Sequence, residues 1–469
     1  MLLFFRLSPV KAMKSSKKLG KHVKGPRGKS RIDRISGLPD ELLGHILSFL
    51  PTRCAVSTSI LSTRWRYLFT LTDCLSFDDA PCFANSGGNK KIEIIRKRRF
   101  KKFVYNVLEL HQISLIKKFS LVCRGTYSKS HLNAWVSNIV KKGVQEIHYS
   151  VDVPKDGLPD DLLVCETLVR LNMTENGLHA IKTPLSPRLP SLKILCLDHV
   201  SFADYDSMQR LFSSCELLEE LTLKLCDLYV SGHAIISTGV LKVLTIDDCA
   251  FHEGLFEIDA PNLAYLTYKC NTGVKIVPSW KYSCSLVKAE LHFNSRYEVL
   301  FHGSLEHDHA IFEDAAYKTT ELRLLPDSIK FLLTREDDEV MPDFPNLTRL
   351  HLCYFPYDSW KYVTSLLDKS PQLKTVIFEQ GLHRYCRPVS PPIESLTPFL
   401  CHAKVIVVRN FCGHEVSLVL LGHLLRNASV LKKLTVHKRR SDKVEKLLQI
   451  RRDLLMLPKA SSDCCIELK

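Results

Sequence analysis

The residue types that most often bind metal ions are densest at residues 302–309. His302, Glu306, His307, Asp308 and His309 supply imidazole and carboxylate groups, which zinc and related metals take as ligands. Their spacing is irregular and matches none of the metal-binding patterns in which the ligand positions are fixed. We therefore predict a solvated polar insertion in this segment, and we expect the protein to use no metal and no cofactor.

The sequence contains none of the short motifs that accompany the commonest catalytic sites. It has no G-x-x-x-x-G-K-[ST] loop, no G-x-S-x-G turn, no H-E-x-x-H pair and no C-x-x-C pair. The 17 cysteines are spread through 469 residues, and the start does not have the form of a secretory signal, so we expect reduced thiols. We therefore expect no catalytic residue and no enzyme activity.

The excess of positive charge, a formal net charge of +15, comes from two segments. Residues 1–34 hold eleven Lys or Arg against Asp33, and residues 90–102 hold eight against Glu93. The first segment predicts a disordered basic tail, either a nuclear-localisation signal or a solvated leader. The second, with Phe100 and Phe103, allows nucleic-acid binding, but a charged helix surface is the commoner outcome. Because the remainder is nearly neutral, we do not expect nucleic acid to be the partner.

No run of 18 apolar residues occurs, so we expect no membrane span and a nuclear or cytoplasmic location.

After the basic tail, residues 35–69 carry a helical pattern. Pro39 suits a first helical turn, and apolar residues recur at three- and four-residue spacing until Pro51 ends the helix. Two short helices are predicted after it, beginning near Thr52 and Ser62. So small a bundle cannot bury all of these side chains, which leaves two possibilities: packing on the next domain or docking of a partner.

The sequence of this bundle closely resembles an F-box of the plant F-box families. The resemblance rests on the Leu38-Pro39 start, the Leu50-Pro51 break, Ala55-Val56 and the Leu61-Ser-x-Arg-Trp65 end. It implies an F-box over residues 35–75 that binds a Skp-type adaptor and, through it, a cullin. The residues it implies for adaptor contact are Leu38, Pro39, Leu42, Ile46, Leu50, Pro51, Val56, Leu61 and Trp65.

The rest of the chain repeats the pattern L-x-x-L-x-L. Clear copies begin at Leu168, Leu192, Leu218, Leu241, Leu263 and Leu347, and the first five start 22 to 26 residues apart. This interval is typical of leucine-rich repeats. Weaker copies begin at Ile116, Val144, Leu286, Thr319, Leu373, His402 and Leu431. We therefore predict a repeat solenoid with a parallel sheet over residues 110–390, interrupted at residues 294–318 and 381–397.

Two further features follow from the repeat. Asn176, Cys226, Cys249 and Asn271 occupy the position where this repeat family buries an asparagine or cysteine after the strand, so the cysteines are predicted to be structural. Residues between the core positions face the other side of the sheet. They offer either a solvated surface or a target-binding surface, and the candidates for target contact are Thr222, Lys224, Thr245, Asp247, Tyr265, Thr267, Lys269, Arg349 and His351.

Residues 391–440 resemble the FBD domain that ends many plant F-box/leucine-rich-repeat proteins. The resemblance rests on Lys404-Val405, Phe411-x-Gly413, Glu415 and Leu431-Lys-Lys-Leu434. Residues 441–469 are expected to be a C-terminal tail. The fold class is accordingly α/β, with a three-helix F-box, a leucine-rich-repeat solenoid and an FBD-type unit.

Together these resemblances imply the substrate receptor of an SCF ubiquitin-protein ligase, in which the repeats bind an unknown protein target. A scaffold that binds proteins without a cullin is the alternative from another functional class, and nucleic-acid binding is the third.

Overall fold

The computed structural model describes residues 35, 37–83, 90–152, 157–175, 180–229, 233–252, 255–270, 276–278, 286–293, 311, 313, 315–325, 328, 341–353, 360–382, 402–439 and 444–469. The predicted basic tail and the metal-type cluster at residues 302–309 lie outside the described residues, as do Asn176 and Asn271.

The first three helical segments form a small bundle ahead of the sheet. They are α1 (Asp40–Ser48), α2 (Thr52–Ser57), which continues as a 3₁₀ turn over Thr58–Ile60, and a 3₁₀ helix over Arg64–Leu71. The remaining helices are α3 (Ala80–Phe83), α4 (Lys90–Leu110), α5 (Lys129–Val140), α6 (Tyr205–Ser213), α7 (Trp360–Asp368), α8 (Glu415–Asn427) and α9 (Val444–Leu455).

The strands are β1 (Cys74–Asp78), β2 (Lys118–Cys123), β3 (Glu146–Val151), β4 (Arg170–Thr174), β5 (Ile194–Asp198), β6 (Glu220–Lys224), β7 (Asp227–Tyr229), β8 (His233–Ser237), β9 (Val243–Asp247), β10 (Ala250–His252), β11 (Leu255–Asp259), β12 (Tyr265–Cys270), β13 (Ile276–Pro278), β14 (Lys288–Phe293), β15 (Glu321–Leu324), β16 (Arg349–Leu352), β17 (Thr375–Phe378), β18 (Val405–Phe411), β19 (Lys433–Lys438) and β20 (Cys465–Leu468).

One long parallel sheet organises the described residues. Its fifteen strands follow chain order, with β6 beside β9, β9 beside β12 and β12 beside β14. The strands left out of it form two small parallel sheets, β7 with β10 and β8 with β11 and β13. An α/β solenoid with a parallel sheet was predicted from the repeat, and the structure confirms this fold class.

Alternating burial along each strand explains why the repeat folds this way. In β4 to β6 and in β9, the second and fourth residues are buried, and the third lies on the opposite face. The buried leucines join apolar side chains of α5, α6 and α8 in one continuous core. A backbone hydrogen bond also repeats from unit to unit. The amide just before a strand donates to the equivalent carbonyl of the preceding unit. Examples are Lys193 to Val169 and Thr348 to Thr320, both at 2.9 Å.

A tight turn follows several strands and requires left-handed backbone. His199, Leu225 and Asp248 have φ values of 57°, 48° and 51°, each directly after a strand. The thiols of Cys226 and Cys249 are buried beyond two of these turns. The Cys226 thiol lies 3.4 Å from the Leu197 carbonyl, a contact that bridges neighbouring units. The structural role predicted for these two cysteines fits this placement.

The predicted repeat copy at residues 402–407 is shifted by one residue. The structure pairs Val376 with Ile406 and Phe378 with Val408, so the buried set is Ala403, Ile406 and Val408 instead of His402, Val405 and Val407. Residues 405–408 are all apolar, and a run without alternation leaves the strand register undefined in the sequence.

The sheet extends further at both ends than the repeat pattern predicts. Strand β1 precedes the first predicted copy, and it pairs in parallel with β2. The predicted C-terminal tail is wrong for residues 444–469, which form α9 and β20 and add a last strand beside β19. The FBD-type unit is therefore continuous with the solenoid, because β18 pairs with β17 on one side and β19 on the other.

Gly413 shows why the C-terminal helix belongs to the fold. Its φ of +68° is left-handed, a region that glycine adopts without steric cost. A Cβ atom at this position would lie 2.6 Å from Cγ1 of Ile450 in α9. The glycine of the Phe411-x-Gly413 motif therefore permits both the turn before α8 and the close approach of α9.

Candidate docking surfaces

The inner face of α1 packs against the 3₁₀ helix. Pro39 precedes the helix in extended conformation, and Asp40 and Glu41 occupy its first turn, where negative charge is favoured. Leu43 and Leu47 are buried. Gly44 lies between them, and a Cβ atom there would come within 2.9 Å of the Leu71 carbonyl oxygen. Only a glycine permits this approach of the two backbones.

The outer face of the bundle leaves large apolar side chains uncovered. Leu42, Ile46 and Leu50 are exposed, and Phe49 and Ile60 are exposed by 75% and 74%. A concentration of exposed large apolar side chains is costly for a soluble protein and typically marks a site where a partner binds. We call the set Leu42, Ile46, Phe49, Leu50, Ile60 and Leu61 the outer F-box face.

The structure separates the predicted adaptor contacts into two groups. It exposes Pro39, Leu42, Ile46, Leu50, Pro51 and Leu61, and it half-buries Leu38. Val56 and Trp65 are only 6% and 8% exposed. Their prediction as contact residues is corrected, because their side chains pack inside the bundle and support the surface from beneath. Phe49 and Ile60 are equally exposed but were not among the predicted contacts, although Phe49 follows Ile46 at the three-residue spacing that marks one helix face.

An ion pair fixes the start of α1 to the 3₁₀ helix. Arg64 Nη2 lies 2.7 Å from Asp40 Oδ1 and also donates to the Leu38 carbonyl. Both charged side chains are largely exposed, and an exposed pair of this kind contributes at most about 1 kcal/mol. The pair therefore orients the Leu38-Pro39 entry segment more than it stabilises the fold.

Short hydrogen bonds join the bundle to the first strand. The Thr52 hydroxyl accepts from the Ser76 amide at 2.7 Å, and the Ser48 hydroxyl accepts from the Asp73 amide at 3.2 Å. His111 Nε2 lies 2.7 Å from the Thr72 carbonyl, and burial lowers the pKa of this histidine. The outer F-box face is therefore held in a fixed relation to β1.

Asp79 secures the far end of β1. Its carboxylate accepts from the amides of Arg124 and Gly125, at 2.8 and 3.2 Å, and from the Tyr127 hydroxyl at 2.9 Å. Asp79 itself is fully buried. Burial raises the pKa of Tyr127, and the charge of Asp79 raises it further, so the phenol remains a donor.

The second candidate surface is the face of the sheet opposite the core. Thr222, Thr245 and Thr267 are in register across β6, β9 and β12, and the row continues through Cys196 to Asn172. These side chains are half-buried, small and uncharged. We call residues Asn172, Cys196, Thr222, Thr245 and Thr267 the neutral strip.

Charged and aromatic side chains flank the neutral strip. Lys224, Asp247 and Lys269 form the next row in register, and Lys269 pairs with Asp247 at 3.4 Å. Lys224 is exposed, and Tyr265 is exposed on the other side of the strip. The structure therefore places the predicted target contacts of β6, β9 and β12 on one accessible face.

Further along the sheet, ion pairs and hydrogen bonds within the chain occupy the same face. Glu321 lies 2.7 Å from Lys288, and Glu379 lies 2.9 Å from both His351 and Arg409. Burial alone would raise the pKa of Glu379, but the bond from His351 and the charge of Arg409 lower it. The pKa of Glu321 is likewise lowered, since the bond and charge of Lys288 outweigh burial.

His351 is therefore not a freely accessible target contact as predicted. It is 9% exposed, Nδ1 faces Glu379, and Nε2 accepts from Arg349 Nε at 3.2 Å. A polar side chain can be buried at this position because charged partners on the neighbouring strands satisfy it. Arg349 remains exposed beside it.

The described residues contain no group of three or more His, Cys, Asp or Glu side chains arranged to hold a metal ion. Among the same residues, no helix combines the length and apolar character needed to cross a membrane.

Two protein-family models match parts of this chain. Residues 35–76 match the F-box domain family. Residues 132–282 match a family described as FBD-associated F-box protein At5g56370, LRR repeats. Both are families of protein-interaction domains, and the second match covers the neutral strip.

Curated relatives from Arabidopsis thaliana extend over most of the chain. Putative F-box/LRR-repeat protein At3g58880 is 31% identical over 87% of this chain and 92% of its own length. F-box/LRR-repeat protein At3g60040 is 33% identical over 78% and 82%, and Putative F-box/FBD/LRR-repeat protein At3g59240 is 32% identical over 75% and 69%. The chain therefore belongs to the plant F-box/LRR-repeat family.

Proposed function

We propose that this protein is the substrate receptor of an SCF ubiquitin-protein ligase. The outer F-box face binds a Skp-type adaptor, which joins the chain to a cullin, and the neutral strip binds the protein to be ubiquitinated. The observation that carries the proposal is the set of large apolar side chains left uncovered on a bundle whose own core is complete. Covering them with an apolar partner surface is favourable by the hydrophobic effect.

The rigid joint between the bundle and β1 supports the same role. Hydrogen bonds from the Ser76 and Asp73 amides fix the bundle to the first strand of the sheet. A target held on the sheet would then stay at a defined position relative to the cullin. Holding two reactants in a fixed geometry makes the transfer of ubiquitin effectively intramolecular, so the receptor needs no catalytic group of its own.

We propose the neutral strip, and not the ion-pair network, as the centre of the target surface. Glu321, His351 and Glu379 are already satisfied by partners on neighbouring strands, so a target would have to displace those bonds. Hydroxyl groups of the threonine row and the exposed Tyr265 can bind a target without breaking an ion pair. We place the complex in the nucleus or cytoplasm.

Two single substitutions in the full chain test the two halves of the proposal. Leu42→Asp puts a charge on the outer F-box face, and Thr245→Arg puts a long charged side chain on the neutral strip. Tagged variants are recovered from plant cells in which the proteasome is inhibited, and co-purified proteins are quantified. Ser186→Arg, in an exposed segment between β4 and β5, is the matched control for the added arginine.

We expect Leu42→Asp to lose adaptor and cullin and to retain target proteins that carry no added ubiquitin. We expect Thr245→Arg to keep the adaptor and lose those targets. If the wild-type chain recovers targets but no cullin, the protein is a non-degradative scaffold and the ligase proposal is rejected.

A further inference from the structure

The first half of helix α4 is less buried than the second half. In the second half, the side chains of Phe100, Val104, Val107 and Leu108 are buried in the core. None of residues 90–99 is buried, although Arg96 bonds to the Cys82 carbonyl and Lys97 lies over the Phe83 ring. The opposite side of this half of the helix faces outward.

The side of α4 that points away from the core combines positive charge with isoleucine. At 100° per residue, Lys91, Ile94, Ile95, Arg98 and Lys102 fall within one narrow arc opposite the buried side chains. All five are exposed, including 58% of Ile94 and 52% of Ile95. We call these five residues the basic helix face.

This part of the helix carries a large excess of positive charge. Residues 90–102 hold eight cations and one anion, Glu93. Lys97 and Lys101 are four residues apart, and like charges at this spacing repel within a helix. An anionic partner surface would complement this charge.

The positive surface continues towards the F-box. Arg96 Nη1 donates to the Cys82 carbonyl at 3.2 Å. The pKa of Cys82 is raised by burial and by the charge of Asp79, although the nearby charges of Arg53 in α2 and of Arg96 partly oppose this increase. Arg53 is exposed, so the basic region of α4 extends to the second helix of the bundle.

Charge and apolar character together select the class of partner. A phosphate backbone would attract the cations but would gain nothing from Ile94 and Ile95. A helix that lies on an anionic membrane separates an apolar face from a basic one, whereas here the isoleucines lie among the cations. The basic segment at residues 1–34 of the same chain would be repelled by the cations of this face. An acidic protein segment with apolar side chains satisfies both features.

We propose that the basic helix face binds an acidic, partly apolar segment of a partner protein. The site lies on α4, outside the outer F-box face, and it is independent of adaptor binding.

Binding of a labelled peptide rich in Glu and Leu to the purified full chain tests this proposal by fluorescence anisotropy. One variant removes charge, Arg98→Gln with Lys102→Gln, and another removes apolar surface, Ile94→Ser with Ile95→Ser. A matched control removes two exposed lysines elsewhere, Lys404→Gln with Lys432→Gln. We expect each face variant to weaken binding by about tenfold or more, and the control to stay within about twofold.

The competing occupants give different results. Tighter binding of polyuridylate RNA than of the peptide, unaffected by the isoleucine changes, would overturn the proposal in favour of nucleic acid. Tighter binding to phosphatidylserine vesicles would overturn it in favour of a membrane surface. No measurable peptide binding, or equal binding by all variants, also overturns it. Ile46→Asp is expected to retain peptide binding, which separates this proposal from the adaptor interface.

Discussion

Replacing Ile46 by aspartate is expected to abolish adaptor binding while the chain remains folded. Ile46 lies on the outer F-box face and is 45% exposed. Complete burial of an isoleucine contributes about 1.5 to 3 kcal/mol, so covering its exposed part contributes about 1 kcal/mol. A carboxylate buried without a partner costs about 2 kcal/mol or more in addition. The sum, about 3 kcal/mol, corresponds to a loss of affinity greater than about 100-fold.

The assay is calorimetric titration of the full chain with a purified plant Skp-type adaptor, with circular dichroism to confirm folding. Aspartate at residue 46 is near the negative end of the α1 dipole, which costs the fold less than about 1 kcal/mol. Leu185→Asp is the matched control, because Leu185 is 87% exposed and lies outside the F-box. It is expected to bind the adaptor like the wild type.

Val56→Ala distinguishes contact residues from supporting residues. Val56 is buried in the bundle, so its truncation is expected to lower stability by about 2 kcal/mol and to change the affinity of the folded protein little. If Ile46→Asp is folded and binds the adaptor within threefold of the wild type, the outer F-box face is not the docking surface. Such a result would refute the burial argument.

Three further changes test the joints that hold the surfaces in place. Gly413→Ala places a side chain on left-handed backbone and against Ile450, so it is expected to cost about 3 kcal/mol of stability and to lower the midpoint of thermal unfolding. Gly239→Ala is the neutral control, because a Cβ atom there has nothing within 4 Å. Equal midpoints for the two variants would contradict the packing of α9. Asp79→Ala leaves buried amides without their acceptor and is expected to cost about 2 to 3 kcal/mol, measured by thermal unfolding; an unchanged midpoint would mean that another group satisfies them. Burial raises the pKa of Glu321 and Glu379, but their polar and charged partners lower it by more, so both pKa values are lowered in the folded protein. The stability that these two groups provide is therefore present above the unfolded glutamate pKa of 4.5 and is lost as the pH falls below that value. Urea midpoints are therefore expected to fall steeply below about pH 4.5 and less steeply for Glu379→Gln, and identical pH profiles for the two proteins would rule out this contribution.

The repeat pattern predicts most of the long sheet because alternation defines both the strand and its buried face. It misses β1, which follows the same spacing as the other strands, with Thr72, Leu75 and Phe77 all buried. The F-box predicted over residues 35–75 overlaps the start of this copy. The register of β18 is lost for a different reason, since four apolar residues in succession leave the buried face undefined.

The sequence is less informative about which predicted site residues are accessible. Leu42 and Leu43 are adjacent and both apolar, so spacing alone does not separate the outer face from the inner one. The close approach of Leu71 at Gly44 decides it. The alternation along β16 predicts an outward, accessible His351, but its burial depends on Glu379, which is 28 residues away in the sequence.

Co-assembly of purified components tests the central claim most directly. The full chain, a plant Skp-type adaptor and a cullin are mixed and separated by size-exclusion chromatography with light scattering. We expect one complex that contains all three proteins and that does not form when the chain carries Ile46→Asp. A folded wild-type chain that elutes apart from the adaptor and cullin would contradict the ligase-receptor function.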